Sequence, residues 1–179
     1  MHTCCRRGRS NLKLWVIRHA KSSWADAGLT DFERPLNKRG NADAQRMANW
    51  FATQSDPATW IWTSDAARAL ATSEFVAQGF AAAGPQAISD HRLYHASAET
   101  ALDTLRETPS DIDSVALVAH NPGLTSLVNL LAAAHTIVNL PTFGVARFDI
   151  AGDWHELGVA RATLELMMAP KWDLAKRIP

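Results

Sequence analysis

Three apolar runs without polar alternation, Leu14-Trp15-Val16-Ile17, Trp60-Ile61-Trp62 and Val115-Ala116-Leu117-Val118-Ala119, each lead straight into a polar cluster, and this pattern constrains the fold more than any other feature. A strand with one wet face alternates, whereas a strand apolar on both faces belongs to a parallel sheet covered by helices above and below. The segments between the runs have helical spacing. Asn37 stands where a cap is needed for a helix with Ala44, Met47, Ala48 and Phe51 at i, i+3, i+4, i+7. Ser64 is expected to cap a second helix that turns Ala67, Leu70, Ala71 and Phe75 inward. A third helix starts at Ser97 and buries Ala98, Ala101, Leu102 and Leu105. The fourth follows Asn121 as its cap, with Pro122 at the first helical position, where a missing N–H costs nothing, and Leu124, Leu127, Val128 and Leu131 on one face. Val145 to Ile150 and Thr163 to Met168 read as two strands joined through Gly152 and the Trp154 region, pairing antiparallel at the sheet edge or by insertion into it. The expected fold is α/β: a single-domain three-layer sandwich with a mostly parallel sheet, helices on both faces and an antiparallel C-terminal strand pair.

A chain of 179 residues with 47% hydrophobic content suits one domain, and no repeat, low-complexity tract or long linker divides it. Residues 12–179 are therefore read as that domain, and residues 1–11 as a disordered basic tail. Lys plus Arg and Asp plus Glu both number 18, so no global field favours nucleic acid or an anionic membrane. Neither is an expected partner, and any attraction to anions must be local. The two cysteines, Cys4 and Cys5, are adjacent and remote from any metal-ligand spacing, which argues against a disulfide scaffold or a zinc site. The run Leu14 to Ile17 is too short for a signal sequence or a membrane span, and a cytoplasmic, reducing location fits.

The polar clusters are Arg18-His19, Ser64 through Arg68, and His120-Asn121. In open α/β sheets ligands bind outside the carboxyl ends of the strands, so clusters far apart in sequence can meet in one crevice. Arg18, His19, Arg68 and His120 would converge there and suit a phosphoryl group. Guanidinium forks donate paired hydrogen bonds to its oxygens, and the helix N-terminus beside Arg68 adds backbone donors. Neutral imidazole is the member of the set with a free lone pair, hence the nucleophile, and nearby positive charge should keep His19 neutral. Taken singly, each cluster has a plain structural explanation as a turn, a helix-surface arginine or a cap; their equivalent positions are what argue for a site. Lys21 and Arg34 read as solvated surface charges, Trp15, Trp60 and Trp62 as core, and Trp24 as a candidate pocket wall.

These residues resemble the histidine phosphatase superfamily, related to phosphoglycerate mutases, and within it the short SixA-type phosphohistidine phosphatases. The resemblance is carried by Leu14-Trp15-Val16-Ile17-Arg18-His19-Ala20-Lys21-Ser22-Ser23-Trp24, by Asp31-Phe32-Glu33-Arg34-Pro35-Leu36-Asn37-Lys38-Arg39-Gly40, by Ser64-Asp65-Ala66-Ala67-Arg68-Ala69 with Thr72, and by Val118-Ala119-His120-Asn121-Pro122-Gly123. It extends from about Leu12 almost to the C-terminus. It implies that His19 accepts the phosphoryl group, that Arg18 and Arg68 clamp its oxygens, that His120 is the second pocket histidine, and that no metal or other cofactor takes part. The sequence offers no unambiguous acid for the leaving group; around Tyr94, Glu99 and His95 are the weak candidates, with Glu99 placed where a helix start favours a carboxylate anyway.

The implied reaction is hydrolysis of a phosphoric monoester or phosphoramidate. The expected partner is a phosphorylated protein, with phosphohistidine on a signalling or phosphotransfer protein as the first choice and a small phosphate ester as the alternative. The stretch between the second helix and the Val115 run is short, leaving few residues to roof the pocket or build the lid a mutase requires. A non-catalytic phosphate-binding module is the alternative of another class, and an intact His19 argues against it.

Overall fold

Leu12–Arg18 forms β1, a strand whose inner residues are buried on both faces. In this computed structural model, which describes residues 12–159 and 161–172, β1 lies inside a six-stranded sheet. The other elements in chain order are α1 (Lys38–Phe51), β2 (Trp60–Thr63), α2 (Ala67–Gly79), β3 (Gln86–Ser89), α3 (Ala98–Arg106), β4 (Ser114–Ala119), α4 (Gly123–Leu131), β5 (Val145–Ile150) and β6 (Ala162–Met168). Strand order is β3-β2-β4-β1-β5-β6. The first four are mutually parallel, and β5 and β6 are antiparallel additions beside β1. The C-terminal pair is thus both inserted and terminal: β5 pairs with the central β1, and β6 forms the edge. The N-terminal residues 1–11, with Cys4 and Cys5, lie outside the described residues.

The two faces of β1 seed two cores. Trp15 and Ile17 point to the side covered by α1 and α2, where Trp15 meets Trp50, Phe51 and Phe80 at ring separations of 6.2, 5.8 and 5.3 Å. Its indole N–H is satisfied by the Asp56 carbonyl at 3.0 Å. Leu12, Leu14 and Val16 face the other side, against Leu102 and Leu105 of α3 and Leu124, Leu127, Val128 and Leu131 of α4. Trp62 is buried on this second side, and Trp60 is half-buried at its margin.

The structure adds one strand to the sequence expectations and corrects three of them. β3 has no counterpart among them, because Gln86–Ser89 is short and mostly exposed, with one ladder to β2 in place of an apolar signature. The inward face of α2 is Arg68, Ala69, Thr72, Ser73 and Val76, while Leu70 is 36% exposed, so the buried stripe is rotated by about one residue from the apolar reading. The cause is polar: Thr72 accepts a hydrogen bond from the Ala20 amide at 3.0 Å, and Arg68 must enter the crevice. Ser64 does not cap α2; Ala66 holds that position without a side-chain bond, and Pro122 likewise stands one residue before α4 instead of inside it. Asn37 and Ser97 do cap α1 and α3, each accepting from a backbone amide three residues on, Gly40 at 2.8 Å and Thr100 at 3.2 Å.

Candidate active site

Arg18, His19, Arg68 and His120 sit at the carboxyl edge of the parallel strands. Arg18 closes β1 and His19 follows it; Ser64 follows β2; Arg68 lies in the first turn of α2; His120 follows β4. Adjacent strand ladders pair Arg18 with Ala119 and Thr63 with Val118, so the three clusters are brought side by side by register. Arg18, His19, Arg68 and His120 all line one cavity of about 320 Å³, together with Lys21, Ser22, Trp24, Asp31, Arg34, His95, Asn121 and Thr142.

His19 is held in one tautomer. Its Nδ1 lies 2.7 Å from the Ala20 carbonyl, which can only accept, so Nδ1 carries the hydrogen and Nε2 keeps the lone pair. Nε2 accepts from Arg68 Nε at 3.3 Å. Burial, and after it the charges of Arg68, Arg18 and Arg34, lowers the His19 pKa to about 4, so the ring is neutral near neutral pH. Positive charge is the cause expected from the sequence; desolvation is the larger one. The His120 ring centre is 4.9 Å away. Its Nε2 hydrogen-bonds the Ser64 hydroxyl at 2.8 Å, and its Nδ1 is buried with no partner. Burial, then the neighbouring His19, Arg68 and His95, holds His120 strongly towards the neutral form.

Arg68 is 2% exposed, so the solvated-helix alternative for it does not hold. Its guanidinium also donates to the Asp31 backbone carbonyl and, at 2.8 Å, to Asp31 Oδ2. Arg18 donates Nη1 to the Leu140 carbonyl at 2.7 Å and leaves Nε without a partner. The backbone donors expected at the start of α2 are partly engaged: Ala67 donates to the Phe32 carbonyl and Ala66 to Ser64 Oγ.

Asp31 is a pocket residue that sequence reasoning missed. Burial by itself would raise its pKa, but hydrogen bonds from Tyr94, Arg34 and Arg68 outweigh that and hold the carboxyl well below the ordinary carboxylate range. Tyr94 donates its hydroxyl to Oδ2 at 2.8 Å, and Arg34 donates Nε and Nη2 to Oδ1 at 3.1 and 2.6 Å. Arg34 is not the solvated charge expected from the sequence; it is 6% exposed, bonded also to Ser22 Oγ, and lies 3.5 Å beneath the Trp24 ring. Trp24 itself is 77% exposed and forms a wall of the cavity. The segment from Lys21 to Pro35 therefore builds a side of the pocket that the sequence alone leaves open. The signal that could have found Asp31 is its spacing of three from Arg34 inside a segment already marked by resemblance.

His95 lies within the pocket, with Nε2 3.3 Å from Asp31 Oδ2. Glu99 does not; it is exposed in the first turn of α3 and borders a neighbouring groove, with its pKa lowered by its own backbone amide and by Ser97. Asn121 donates its amide to Asn139 and to the Leu140 carbonyl, so it ties the 139–140 segment to the site and makes no side-chain cap on α4. Two glycines allow the close approaches that frame the crevice. A Cβ at Gly40 would come within 2.1 Å of the Lys21 carbonyl oxygen, and one at Gly123 within 1.9 Å of that of Ala96, so α1 and α4 press directly on the backbones next to His19 and His95. Among the described residues no group of three or more His, Cys, Asp or Glu side chains is arranged to hold a metal ion, and no helix is long and apolar enough to cross a membrane.

Residues 14–95 match the sequence profile of the histidine phosphatase superfamily (branch 1). An uncharacterised chloroplastic protein of Arabidopsis thaliana is 30% identical over 172 residues, covering 88% of this chain and 78% of the relative. The solved structure of the candidate phosphohistidine phosphatase SixA from Agrobacterium tumefaciens superposes with a TM-score of 0.78 at 28% identity, over 90% of this chain and all of that one. A second candidate SixA, from Nakamurella multipartitia, superposes with a TM-score of 0.79 at 21% identity, over 92% of this chain and 99% of that one, a likeness of fold.

Proposed function

The chain belongs to the histidine phosphatase superfamily (branch 1), and from that premise we propose that it hydrolyses phosphorylated substrates through a phosphohistidine formed on His19, without a metal ion. The observation that carries the reading is the fixed tautomer of His19: Nδ1–H is tied to the Ala20 carbonyl, and the Nε2 lone pair faces the guanidinium of buried Arg68. A neutral imidazole with its Nε2 lone pair turned towards a cationic cradle is a competent nucleophile once a phosphoryl group takes over the Arg68 bond; for binding alone the cations would suffice.

In the first step His19 Nε2 attacks phosphorus in line and the bond to the leaving group breaks. Arg68 and Arg18 stabilise the charge on the equatorial oxygens, and the buried, unpartnered nitrogens His120 Nδ1 and Arg18 Nε are groups that a bound phosphoryl oxygen would satisfy. Arg68 has to exchange its Nε bond to His19 and part of its bonding to Asp31 for the phosphoryl group, and Arg34 remains to hold the carboxylate. Water then cleaves the P–N bond and regenerates His19. Positioning and electrostatics supply the rate, so the arrangement calls for no Lewis acid.

For the substrate we favour phosphohistidine on a protein partner. The support is the likeness to the candidate SixA from Agrobacterium tumefaciens, and a leaving imidazole departs readily once protonated. A small phosphate ester is the alternative, and a cytoplasmic setting belongs to the same reading. Rapid quench with labelled substrate should trap acid-labile, base-stable label on His19, and turnover should survive exhaustive chelation. Side by side, kcat/KM on a phosphohistidine protein should exceed that on sugar phosphates by at least about 10²-fold, a gap of roughly 2.7 kcal/mol. Label on another residue removes the mechanism, whereas better efficiency on a small ester removes only the substrate.

A further inference from the structure

Resting on that reading of the site, we propose that His95, oriented by Asp31, is the catalytic residue that gives a proton to the leaving group and then takes one from the attacking water. His95 sits between a short 3-10 turn, His91–Leu93, and the start of α3, and its side chain borders the same cavity as His19, Arg68 and His120. Its backbone has φ 53°, in the left-handed region that few side chains adopt and that histidine, asparagine and aspartate tolerate better than most. The neighbouring Ala96 carbonyl is pressed against Gly123 of α4, so the segment has little room to relax away.

The ring is held on several sides. Nε2 lies 3.3 Å from Asp31 Oδ2, the ring stacks on His120 with centres 5.7 Å apart and planes at 27°, and the Tyr94 ring is 4.2 Å away. Nδ1 makes no hydrogen bond among the described residues, which leaves it for a substrate. Asp31 is the carboxylate that can orient such a ring, because it is already fixed by Tyr94, Arg34 and Arg68. Other pocket groups fit the role poorly. Asp31 is held ionised, the Tyr94 hydroxyl donates to Asp31 and is pushed above the usual phenol range by burial and by that bond, and His19 and His120 are held neutral. His95 is 56% exposed in its side chain, so it can exchange protons with water between turnovers.

The proton balance closes with His95 alone. In the first step imidazolium His95 transfers its proton to the departing atom as the bond from phosphorus to that atom breaks and the bond from phosphorus to His19 Nε2 forms. Neutral His95 then accepts a proton from water as the water oxygen bonds to phosphorus; the P–N bond breaks, its electron pair returns to His19, and inorganic phosphate leaves.

The test is the dependence of rate on the leaving group. His95→Asn keeps a side chain that tolerates the left-handed backbone but cannot shuttle the proton, and His95→Gln is the parallel variant. With phenyl phosphate, whose leaving group needs a proton, each should lose about 10²–10⁴-fold in kcat/KM, and with dinitrophenyl phosphate, whose leaving group does not, less than about 10-fold. With dinitrophenyl phosphate, labelled phosphoryl-His19 should also accumulate in the variants, because water loses its base. Equal losses on both esters, with label still forming on His19, overturn the role of His95 and leave the phosphohistidine reading standing. Absence of label on His19 in the unsubstituted protein sinks that broader reading and this inference together.

Discussion

Two depressions meet at Asn121, and they differ in what lines them. The larger, about 820 Å³, lies between α4 and the 135–139 segment and is lined by residues such as Thr125, Ser126, Asn129, Leu130 and Val138. Its main polar groups are engaged in holding the chain: Asn129 binds the backbone of Thr136 and Ile137 on one side and the Ile137 carbonyl on the other, and Thr125 accepts from the Leu140 amide. The smaller, about 320 Å³, contains buried guanidinium and imidazole groups with nitrogen atoms left unpaired. Leaving buried polar atoms unsatisfied costs about 1–3 kcal/mol each, a cost native folds seldom carry without use. Volume thus reports shape, whereas what sets the smaller depression apart is its cationic and imidazole lining, Arg18, Arg34, Arg68, His19, His95 and His120.

The sharpest way to break this comparison is His19→Ala. Loss of the nucleophile should reduce turnover by about 10⁴-fold or more, measured by steady-state hydrolysis of an aryl phosphate. A variant with near-normal turnover would place the chemistry elsewhere, the larger groove included. Next in size, Arg68→Lys keeps the charge but loses the fork that reaches His19 and Asp31, and His120→Ala removes the ring with the unpaired Nδ1. Each should lower kcat by about 10²–10³-fold. Circular dichroism melts of both variants separate this from unfolding, since buried Arg68 contributes to packing as well as to chemistry.

A smaller effect is expected on stability. In the folded chain the His19 pKa is lowered to about 4, while in the unfolded chain it is about 6.5, so between these values the unfolded state binds more protons. This contribution to stability is fully present above the unfolded value and is lost as pH falls through that window; His120, shifted in the same direction, adds to it. Urea denaturation between those pH values should show stability falling with acidification on the order of a few kcal/mol, and His19→Ala should flatten the slope. An unchanged slope in that variant would mean that the ring is not buried as described. The smallest effect belongs to the larger groove: Ser126→Ala and Val138→Ser, the latter at a side chain 87% exposed, should alter stability by less than about 0.5 kcal/mol and leave aryl phosphate turnover alone. A large loss of turnover in either variant would give the groove a part in the chemistry.

The non-alternating runs at Leu14, Trp60 and Val115 made the parallel strands legible, because a strand buried on both faces has no polar residues to place. The chain order of strand and polar cluster made Arg18, His19, Arg68 and His120 legible, since the carboxyl edge of a parallel sheet gathers the residues at the end of each strand and just beyond it. β3 escaped because a four-residue edge strand is specified by its ladder to β2 and not by its own side chains. The face of α2 differs from the apolar expectation because an apolar rule cannot anticipate a helix that buries Arg68 and Thr72 to serve a pocket.

By itself the sequence determined the layer order, the parallel core and the four residues gathered at the strand ends, all consequences of local pattern and of connection rules that hold for any chain of this kind. Only the tertiary structure decided that Asp31, Arg34, Tyr94 and His95 belong to the same site. Asp31 lies 37 residues from Arg68 and 64 from His95, on irregular segments with no periodicity to read. Their meeting depends on how the Lys21 to Pro35 segment folds back over α2, and that path is set by long-range hydrogen bonds, such as Ala67 N–H to the Phe32 carbonyl, which no local pattern encodes.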